Sequence, residues 1–217
     1  MTHPQIERVS PDADTKVFQA CARIHRDEIT AGFLSTMGED FLAQLYRTIA
    51  RSSSAFLFIA RTNHRILGFV CGSQDTKRVY RDFLLHAGLR MVPKLLPTLF
   101  SIARVKRVFE TLRYPRRREL ATLPDAEILN FCVSSDAQGL GIGRALFGKM
   151  LVEFKSRGVE CIRIVVGESQ KTAQRFYAAA GAEQVARVSV HRESPSIVYL
   201  YRLPGNGQSP PASDSEL

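Results

Sequence analysis

Three alternating glycines, Gly139, Gly141 and Gly143, stand where a strand-like run of residues passes into a helical pattern. Glycine in a helix costs roughly 0.5–1 kcal/mol relative to alanine, so this turn must need a bare main chain. The first N–H groups of a helix have no intrahelical acceptor, and the helix dipole gives them partial positive charge. Because no Cβ blocks the approach, phosphate oxygens can reach these donors. The stretch therefore predicts an anion site for a phosphate-bearing ligand.

Two common phosphate-binding motifs do not fit this stretch. A Walker-type loop needs lysine and then serine or threonine after its last glycine, whereas arginine and alanine follow Gly143. A dinucleotide-binding fingerprint that starts at Gly139 would need its third glycine where Arg144 stands. The pattern that does fit is Q-x-x-G-x-G, which begins at Gln138 and follows a predicted strand.

Two segments of the sequence resemble one known family. The stretch ILNFCVSSDAQGLGIGRAL is similar to the pyrophosphate-binding motif Q/R-x-x-G-x-G/A of the GNAT superfamily of acyl-CoA-dependent N-acetyltransferases. The later stretch SQKTAQRFYAAAGAEQV resembles the N-x-x-A-x-x-F-Y-x-x-x-G-F segment of the same family. It matches at Ala173, Phe176, Tyr177 and Gly181, and it departs at Gln170, where the family usually has asparagine.

The resemblance implies acetyl-CoA as co-substrate. No metal is expected, because no cysteine and histidine have the spacing of metal ligands. The amides from Gln138 to Arg144 would wrap the coenzyme pyrophosphate, and the main chain of Phe131 and Val133 would pair with the pantetheine arm as an added strand does. For Phe176, a place in the hydrophobic core is the alternative. The implied coenzyme-binding residues are Phe131, Val133, Gln138, Gly139, Leu140, Gly141, Ile142, Gly143, Arg144, Gln170, Ala173 and Phe176.

A carboxylate on the strand before the glycine turn is the candidate general base. Acetyl transfer from a thioester to an amine requires the amine to lose a proton. Glu127 stands eleven positions before Gln138, which resembles the placement of the base glutamate in the histone acetyltransferase branch of the superfamily. Strand alternation predicts Glu127, Leu129, Phe131 and Val133 on one face. A carboxylate solvated at the sheet edge, with an ordered water as base, is the alternative.

The phenol of Tyr177 is the candidate general acid. The leaving thiolate must be protonated, and a phenol with a pKa of about 10 suits that step. The charge that develops on the thioester oxygen needs a hydrogen-bond donor. The resemblance implies a main-chain N–H in the segment 131–133, where the family separates two parallel strands. Cys132 is given no nucleophilic role, because no histidine base is paired with it and direct transfer needs no covalent intermediate.

These residues predict an N-acetyltransferase that moves an acetyl group from acetyl-CoA directly to a primary amine. A small acceptor that carries phosphate or an amino sugar is the first expectation. A peptide N-terminus or a lysine side chain is the alternative acceptor. Outside the enzyme class, the alternative is a non-catalytic acyl-CoA-binding module that is attached to a membrane or a partner through the basic insertion. The resemblance also brings a homodimer into consideration, while the acceptor itself is not identified by these residues.

The elements that must position these residues follow from apolar periodicity. The resemblance implies an α+β fold of three α/β/α layers, with a mixed, largely antiparallel sheet flanked by helices. We expect one domain over residues 1–203 and a disordered tail over 204–217, whose composition lacks core-forming residues. The predicted elements are helices within 17–25 and 41–49, a hairpin formed by AFLFIART and RILGFVCGSQ, a strand from Ala126, a helix ending near Gly158, a buried strand CIRIVVG, a short helix ending at Gly181, and strands near 183–192 and 196–203.

The net charge of +9 is concentrated in one insertion, residues 76–120. Between residues 76 and 118, twelve lysines and arginines stand against only Asp82 and Glu110. The insertion is expected to be helical, and three roles stay open: a packed helical pair with a solvated charged face, a wall for an anionic acceptor, or a basic surface for peripheral membrane contact. Nucleic acid is not favoured as a partner, because the aromatic residues do not form a stacking platform among the basic ones and no known nucleic-acid-binding motif appears.

The bulk composition excludes several other classes of protein. No run of about 18 uncharged apolar residues predicts a membrane-spanning helix. The first residues lack the pattern of a secretory signal, which predicts a cytoplasmic protein. The four cysteines, Cys21, Cys71, Cys132 and Cys161, lie far apart in apolar segments. They are therefore expected to be small buried residues rather than a disulfide or zinc framework.

Overall fold

A computed structural model describes residues 4–29, 34–63, 65–83, 85, 122–191 and 194–204. The elements in chain order are β1 (Gln5–Arg8), α1 (Thr15–Glu28), α2 (Glu39–Arg51), β2 (Ala55–Arg61), β3 (Ile66–Ser73), α3 (Thr76–Phe83), β4 (Glu127–Val133), α4 (Ile142–Ser156), β5 (Cys161–Gly167), α5 (Lys171–Ala179), β6 (Glu183–His191) and β7 (Ser194–Arg202). Short 3-10 turns lie at Leu34–Met37 and Ser135–Ala137. The predicted tail and nearly all of the basic insertion after α3 lie outside the described residues.

The strands form one seven-stranded sheet in the order β1-β2-β3-β4-β5-β7-β6. Neighbouring strands are antiparallel everywhere except at β4 and β5, which are parallel. The hairpin predicted around Asn63 is the antiparallel pair β2 and β3. The predicted mixed, largely antiparallel sheet of an α+β fold is therefore confirmed.

Two hydrophobic cores lie on opposite faces of this sheet. Strand β2 shows the division, since Phe56 and Phe58 belong to one core while Leu57 and Ile59 belong to the other. Burying one side chain of this size contributes roughly 1.5–3 kcal/mol. Helices α1, α2 and α3 cover one face through Phe18, Cys21, Ala22, Phe41, Leu42, Tyr46, Ile49 and Val79. Helices α4 and α5 cover the other through Ile142, Leu146, Phe147, Met150, Phe154 and Tyr177.

A close approach between α4 and the sheet depends on Gly72 in β3. A Cβ at this position would lie 2.7 Å from Phe154 Cζ and 2.8 Å from Phe56 Cζ. Both rings are buried and meet edge to face, with centroids 4.9 Å apart, so neither can yield without disturbing the core. Gly72 thus lets α4 lie close to the strands that carry the candidate site.

Candidate active site

The parallel strands β4 and β5 separate shortly after they meet. Strands β4 and β5 pair at two positions, Glu127 with Arg163 and Ile128 with Ile164. Next to these pairs, the Arg163 N–H donates to the Ala126 carbonyl at 2.8 Å. Beyond these pairs each strand continues without the other, β4 to Val133 and β5 to Gly167. Because β3 and β7 occupy their other edges, the free edges of β4 and β5 face each other across a cleft.

The main chain of Phe131 and Val133 faces this cleft. The Ser134 N–H donates to the Leu67 carbonyl at 2.8 Å, on the side of β3. Main-chain groups alternate in direction along a strand, so those of Val133 and Phe131 point the other way. The Val133 carbonyl accordingly accepts a hydrogen bond from Gln138 Nε2 at 3.1 Å rather than from β3. The two residues expected to pair with a pantetheine arm therefore present their main chain to the cleft.

A β-bulge interrupts β4 in the middle of its length. Cys71 pairs with Asn130 and the next residue, Gly72, pairs with Ile128, so Leu129 has no opposite residue on β3. An extra residue of this kind bends the strand and resets its alternation. The bulge lies just beyond the last pair between β4 and β5, and it thus begins the separation of the two strands.

The bulge changes the faces on which the candidate residues lie. Phe131 and Val133 pack against the core under α4 and α5, whereas Leu129 packs against the core under α1 and α2. The carboxylate of Glu127 lies beside the Thr76 hydroxyl of α3, at 3.4 Å. The prediction that these four β4 residues share one face is wrong, because strict alternation does not continue through the bulge.

Helix α4 begins at Ile142, and two glycines shape the turn before it. Gly139 and Gly141 have φ angles of 78° and 75°, a left-handed conformation that disfavours any side chain. At Gly143 the backbone is ordinary, and a Cβ would meet Phe131 Cζ at 3.7 Å, an unstrained contact. The first two glycines are thus required by the turn itself, while the protein alone would tolerate a methyl group at Gly143.

The turn presents a row of main-chain donors. Within the described residues, the N–H groups from Gly139 to Arg144 have no hydrogen-bond acceptor; the first such bond into α4 runs from the Ala145 N–H to the Gly141 carbonyl at 3.0 Å. The first turn of α4 contains no acidic residue. Unpaired donors at a helix N-terminus attract anions. The geometry therefore suits a phosphate or pyrophosphate group.

The side chains of the turn point in different directions. Leu140 is exposed, whereas Ile142 is buried in the core under α4. Arg144 is exposed on the first turn of the helix. Ile142 can therefore offer a ligand only its main chain, while Arg144 can also offer its guanidinium.

Two anchors that sequence reasoning missed hold this turn in place. Glu28 Oε1, at the end of α1, accepts a hydrogen bond from the Ser135 N–H at 2.7 Å. Arg65, in the connection between β2 and β3, donates two hydrogen bonds to Asp136 at 2.6 and 2.7 Å. The bond from Arg65 lowers the pKa of the Asp136 carboxyl. These partners are distant in sequence, so no local pattern could have indicated them.

Tyr177 lies in an aromatic cluster beside the cleft. Phe176 meets Phe131 and Phe147 edge to face, each with centroids 5.5 Å apart. Tyr177 lies 6.1 Å from the Phe147 ring and is 5% exposed. Burial raises the pKa of the Tyr177 phenol, which keeps the proton on the hydroxyl at neutral pH. Phe176 thus occupies the core position given as its alternative, and Ala173 packs against the same core.

Gln170 folds back on the end of β5. Its Oε1 accepts a hydrogen bond from the Gly167 N–H at 3.0 Å. Gln174 donates to the Gly167 carbonyl at 3.0 Å and to the Glu168 carbonyl at 2.9 Å. The two glutamines therefore fix the β5 edge of the cleft and the start of α5.

Glu127 forms a buried ion pair with Arg163, which sequence reasoning also missed. Glu127 Oε2 accepts from Arg163 Nη2 at 2.6 Å and from Nε at 3.0 Å. Glu127 is 5% exposed and Arg163 is 1% exposed. The alternative of a solvated carboxylate at the sheet edge is therefore wrong, and the role of Glu127 as a base stays a prediction. Arg163 is the one charge in an otherwise apolar strand, which is a signal that a buried counter-charge exists.

A buried histidine and buried thiols lie under α1 and α2. His25 Nδ1 hydrogen-bonds the Tyr46 hydroxyl, and burial lowers the pKa of His25 to about 4. Cys21, Cys71 and Cys132 are buried, and burial raises the pKa of each thiol. These three thus occupy the predicted core positions as unreactive neutral thiols. For Cys161 the expectation of burial is wrong, since it is only half-buried on β5.

The described part of the chain contains neither a metal-binding cluster nor a membrane-spanning helix. Within those residues, no cluster of three or more histidine, cysteine, aspartate or glutamate side chains is arranged to hold a metal ion. The helices in the same part of the chain are all too short or too polar to cross a membrane.

Comparison with known proteins gives a family match and a fold match. The model of the acetyltransferase (GNAT) family matches residues 18–182. No curated protein matches the chain. An N-acetyltransferase from Staphylococcus aureus Mu50 is 16% identical, with a TM-score of 0.61 and coverage of 94% of this chain and 100% of that one.

Two further solved structures share the fold. The ribosomal-protein-S18-alanine N-acetyltransferase from Escherichia coli is 15% identical, with a TM-score of 0.56 over 94% of this chain and 97% of that one. Ard1 from Thermoplasma volcanium is 16% identical, with a TM-score of 0.60 over 94% of this chain and 100% of that one. At these identities the likeness shows a shared fold and does not indicate which acceptor this chain uses.

Proposed function

Since this chain belongs to the GNAT family of acetyltransferases, we propose that it moves an acetyl group from acetyl-CoA directly to the primary amine of a small acceptor. The observation that carries the proposal is the row of main-chain donors from Gly139 to Arg144 that have no acceptor among the described residues, placed where the β4–β5 cleft meets the N-terminus of α4. A diphosphate fits these donors, and an extended arm fits the free edge of β4 beside them.

The main chain of β4 would align the thioester. With the coenzyme arm along Phe131 and Val133, a main-chain N–H of this segment would donate to the thioester oxygen as negative charge develops there. A fixed donor in a site that excludes water stabilises such charge more strongly than water does.

The reaction itself needs no covalent intermediate on the enzyme. The amine nitrogen attacks the carbonyl carbon, the new C–N bond forms, and the C–S bond breaks. Tyr177 would give its proton to the leaving sulfur. Its phenol is protonated at neutral pH, and burial raises its pKa and makes it a weaker acid than a free phenol. The proton released by the amine passes to Glu127 or to water, the two proton acceptors that the sequence left open.

A small anionic acceptor is favoured by the charge of the chain. The basic segment 76–118 carries the excess positive charge of the protein, and its described beginning, α3, packs beside α2 and the Glu127 end of β4. A phosphate-bearing amine or an amino-sugar derivative would be drawn to this side. The alternatives are a peptide amine as acceptor and a non-catalytic acyl-CoA-binding module. A membrane contact through this segment and a homodimer are compatible with each of these functions.

Release of coenzyme A distinguishes a small acceptor, a peptide acceptor and a non-catalytic module. We expect calorimetry to detect acetyl-CoA binding by the wild-type protein, and a thiol reagent to detect coenzyme A release only when an amine is added. The panel of amines would contain amino-sugar nucleotides, polyamines and peptides. Binding without release for every amine would favour the non-catalytic module, whereas absence of binding would overturn the proposed site.

A further inference from the structure

We propose that Glu127 and Arg163 act together as a positioning pair that fixes the point at which β4 and β5 separate, so that Glu127 is not the catalytic base. This inference rests on the proposed function, because the separation of the two strands forms the acetyl-CoA cleft. The two residues would act on catalysis through the geometry of β4, without contacting the reacting atoms.

The pair stands at the parallel junction itself. Glu127 and Arg163 are opposite one another in the strand register, and only the next pair, Ile128 with Ile164, follows before the strands diverge. Thus a side-chain ion pair reinforces the junction at the place where main-chain pairing is about to end. The bulge at Leu129 comes directly after it.

The hydrogen bonds between the two side chains fix the position of the Glu127 carboxylate. Arg163 donates from Nη2 and Nε to the same oxygen of Glu127, and the Thr76 hydroxyl lies 3.4 Å from that oxygen. Thr76 also donates to the Asp125 carbonyl at 2.9 Å, just before β4. The carboxylate is therefore fixed by Arg163 of β5, while Thr76 ties the start of β4 to α3 through the Asp125 carbonyl. Strand β4 cannot slide along β5 without breaking these bonds.

Burial makes separation of the Glu127–Arg163 pair energetically costly. Both side chains lie almost wholly out of water, and separating a buried pair would leave an uncompensated charge in the protein interior. Surface ion pairs lack this property, because water compensates each partner when they part. A buried pair therefore specifies one register for the strands, as buried polar groups do in some other folds.

The same geometry argues against Glu127 as a base. A base must present a free oxygen to the amine within hydrogen-bond reach. Glu127 lies on the α3 side of β4, whereas Phe131, Val133 and Tyr177 pack on the α4 side. An incoming amine would therefore meet a carboxylate already held by a guanidinium, on the face of β4 opposite the side chains of Phe131 and Val133.

Single substitutions and an exchange of the two residues test the proposal. We expect Glu127→Gln and Arg163→Gln each to weaken acetyl-CoA binding at least tenfold in calorimetry. The exchange variant, Glu127→Arg with Arg163→Glu, restores an ion pair in the same register. It is expected to recover acetyl-CoA affinity and kcat to within about tenfold of wild type, with an unchanged pH profile of kcat/KM.

The role as base predicts a different pattern. Glu127→Gln would then bind acetyl-CoA like wild type while kcat fell by about 10²–10⁴-fold, and the exchange would not restore kcat; this result overturns the proposal. Should the exchange variant not fold, the double variant Glu127→Met/Arg163→Met replaces it; without the pair its acetyl-CoA affinity should stay at least tenfold below that of wild type, and wild-type affinity would overturn the proposal. Failure of the wild-type protein to bind acetyl-CoA would instead refute the proposed function.

Discussion

Glu28 and Ser135 are joined across the end of β4, where the carboxylate at the end of α1 accepts the Ser135 N–H at 2.7 Å. The other oxygen of Glu28 lies 3.5 Å from the side-chain nitrogen of Gln138. Helix α1 thus holds the turn that presents the main-chain donors. On the opposite side of the same turn, Arg65 holds Asp136.

Removal of the Glu28 anchor is predicted to weaken acetyl-CoA binding. In Glu28→Ala the turn loses one acceptor, and an effect of about 1 kcal/mol corresponds to roughly a fivefold higher Kd. Glu28→Gln keeps a carbonyl acceptor and should stay within about twofold of wild type. Calorimetry with acetyl-CoA measures both, with Glu39→Ala as a control, since Glu39 pairs with Arg26 away from the turn. Equal affinities for Glu28→Ala and wild type would contradict this role.

Two glycines offer a matched pair for the coenzyme site. Gly141 and Gly158 have φ angles of 75° and 73°, and a Cβ on either would meet nothing within 4 Å. Alanine at either position should therefore lower the free energy of unfolding by a similar roughly 1–2 kcal/mol. Only Gly141→Ala should also weaken acetyl-CoA binding, because only Gly141 lies in the donor turn. Urea unfolding and calorimetry measure the two effects, and equal affinity in both variants would count against the site.

Loss of the Tyr177 hydroxyl is predicted to affect catalysis rather than binding. Tyr177→Phe keeps the ring in the aromatic cluster, so the Kd for acetyl-CoA should stay near that of wild type. The rate of thiol release should fall by about 10²–10⁴-fold when the proton donor is removed. Tyr201→Phe is the control, since Tyr201 packs against Phe147 in the same cluster and has no proposed proton transfer. A Tyr177→Phe enzyme with wild-type turnover would exclude the phenol as the acid.

His25 predicts a pH dependence of stability. Its pKa falls from 6.5 to about 4 in the folded protein because burial disfavours the imidazolium. The unfolded chain therefore binds more protons between these values, and the free energy of unfolding decreases as the pH falls from 6.5 to 4. The contribution is on the order of 3 kcal/mol, fully present above pH 6.5. His25→Gln should show a shallower decrease in urea unfolding over this range, and parallel curves would exclude the effect.

The periodic parts of the fold could be predicted from the sequence. Apolar spacing indicated α1, α2 and α4, and the two strands beside Asn63 followed from their composition and the polar turn between them. The four-residue edge strand β1 was missed, because so short a segment has no measurable alternation and is defined only by its pairing with β2. Local patterns thus identify elements that bury a whole face, and tertiary pairing defines the others.

The candidate site, like the fold, could be predicted only in its local features. The donor turn could be predicted, because left-handed glycines and a helix start are local features. The bulge at Leu129 could not, since it depends on how Cys71 and Gly72 of β3 align with β4. The ion pair of Glu127 and Arg163 joins residues 36 positions apart, and its only local signal is the isolated charge of Arg163 in an apolar strand.

The brief junction between β4 and β5 leaves the sheet as two halves, β1 to β4 and β5 to β7. A pantetheine arm lying in the gap would span the seam between them and contribute some of the hydrogen bonds that a missing strand would have made. Acetyl-CoA would then stabilise the folded protein by mass action, in addition to reacting. Release of the product would leave the seam between the two halves open again. The resistance of the protein to heat and to proteases should therefore increase with the concentration of coenzyme.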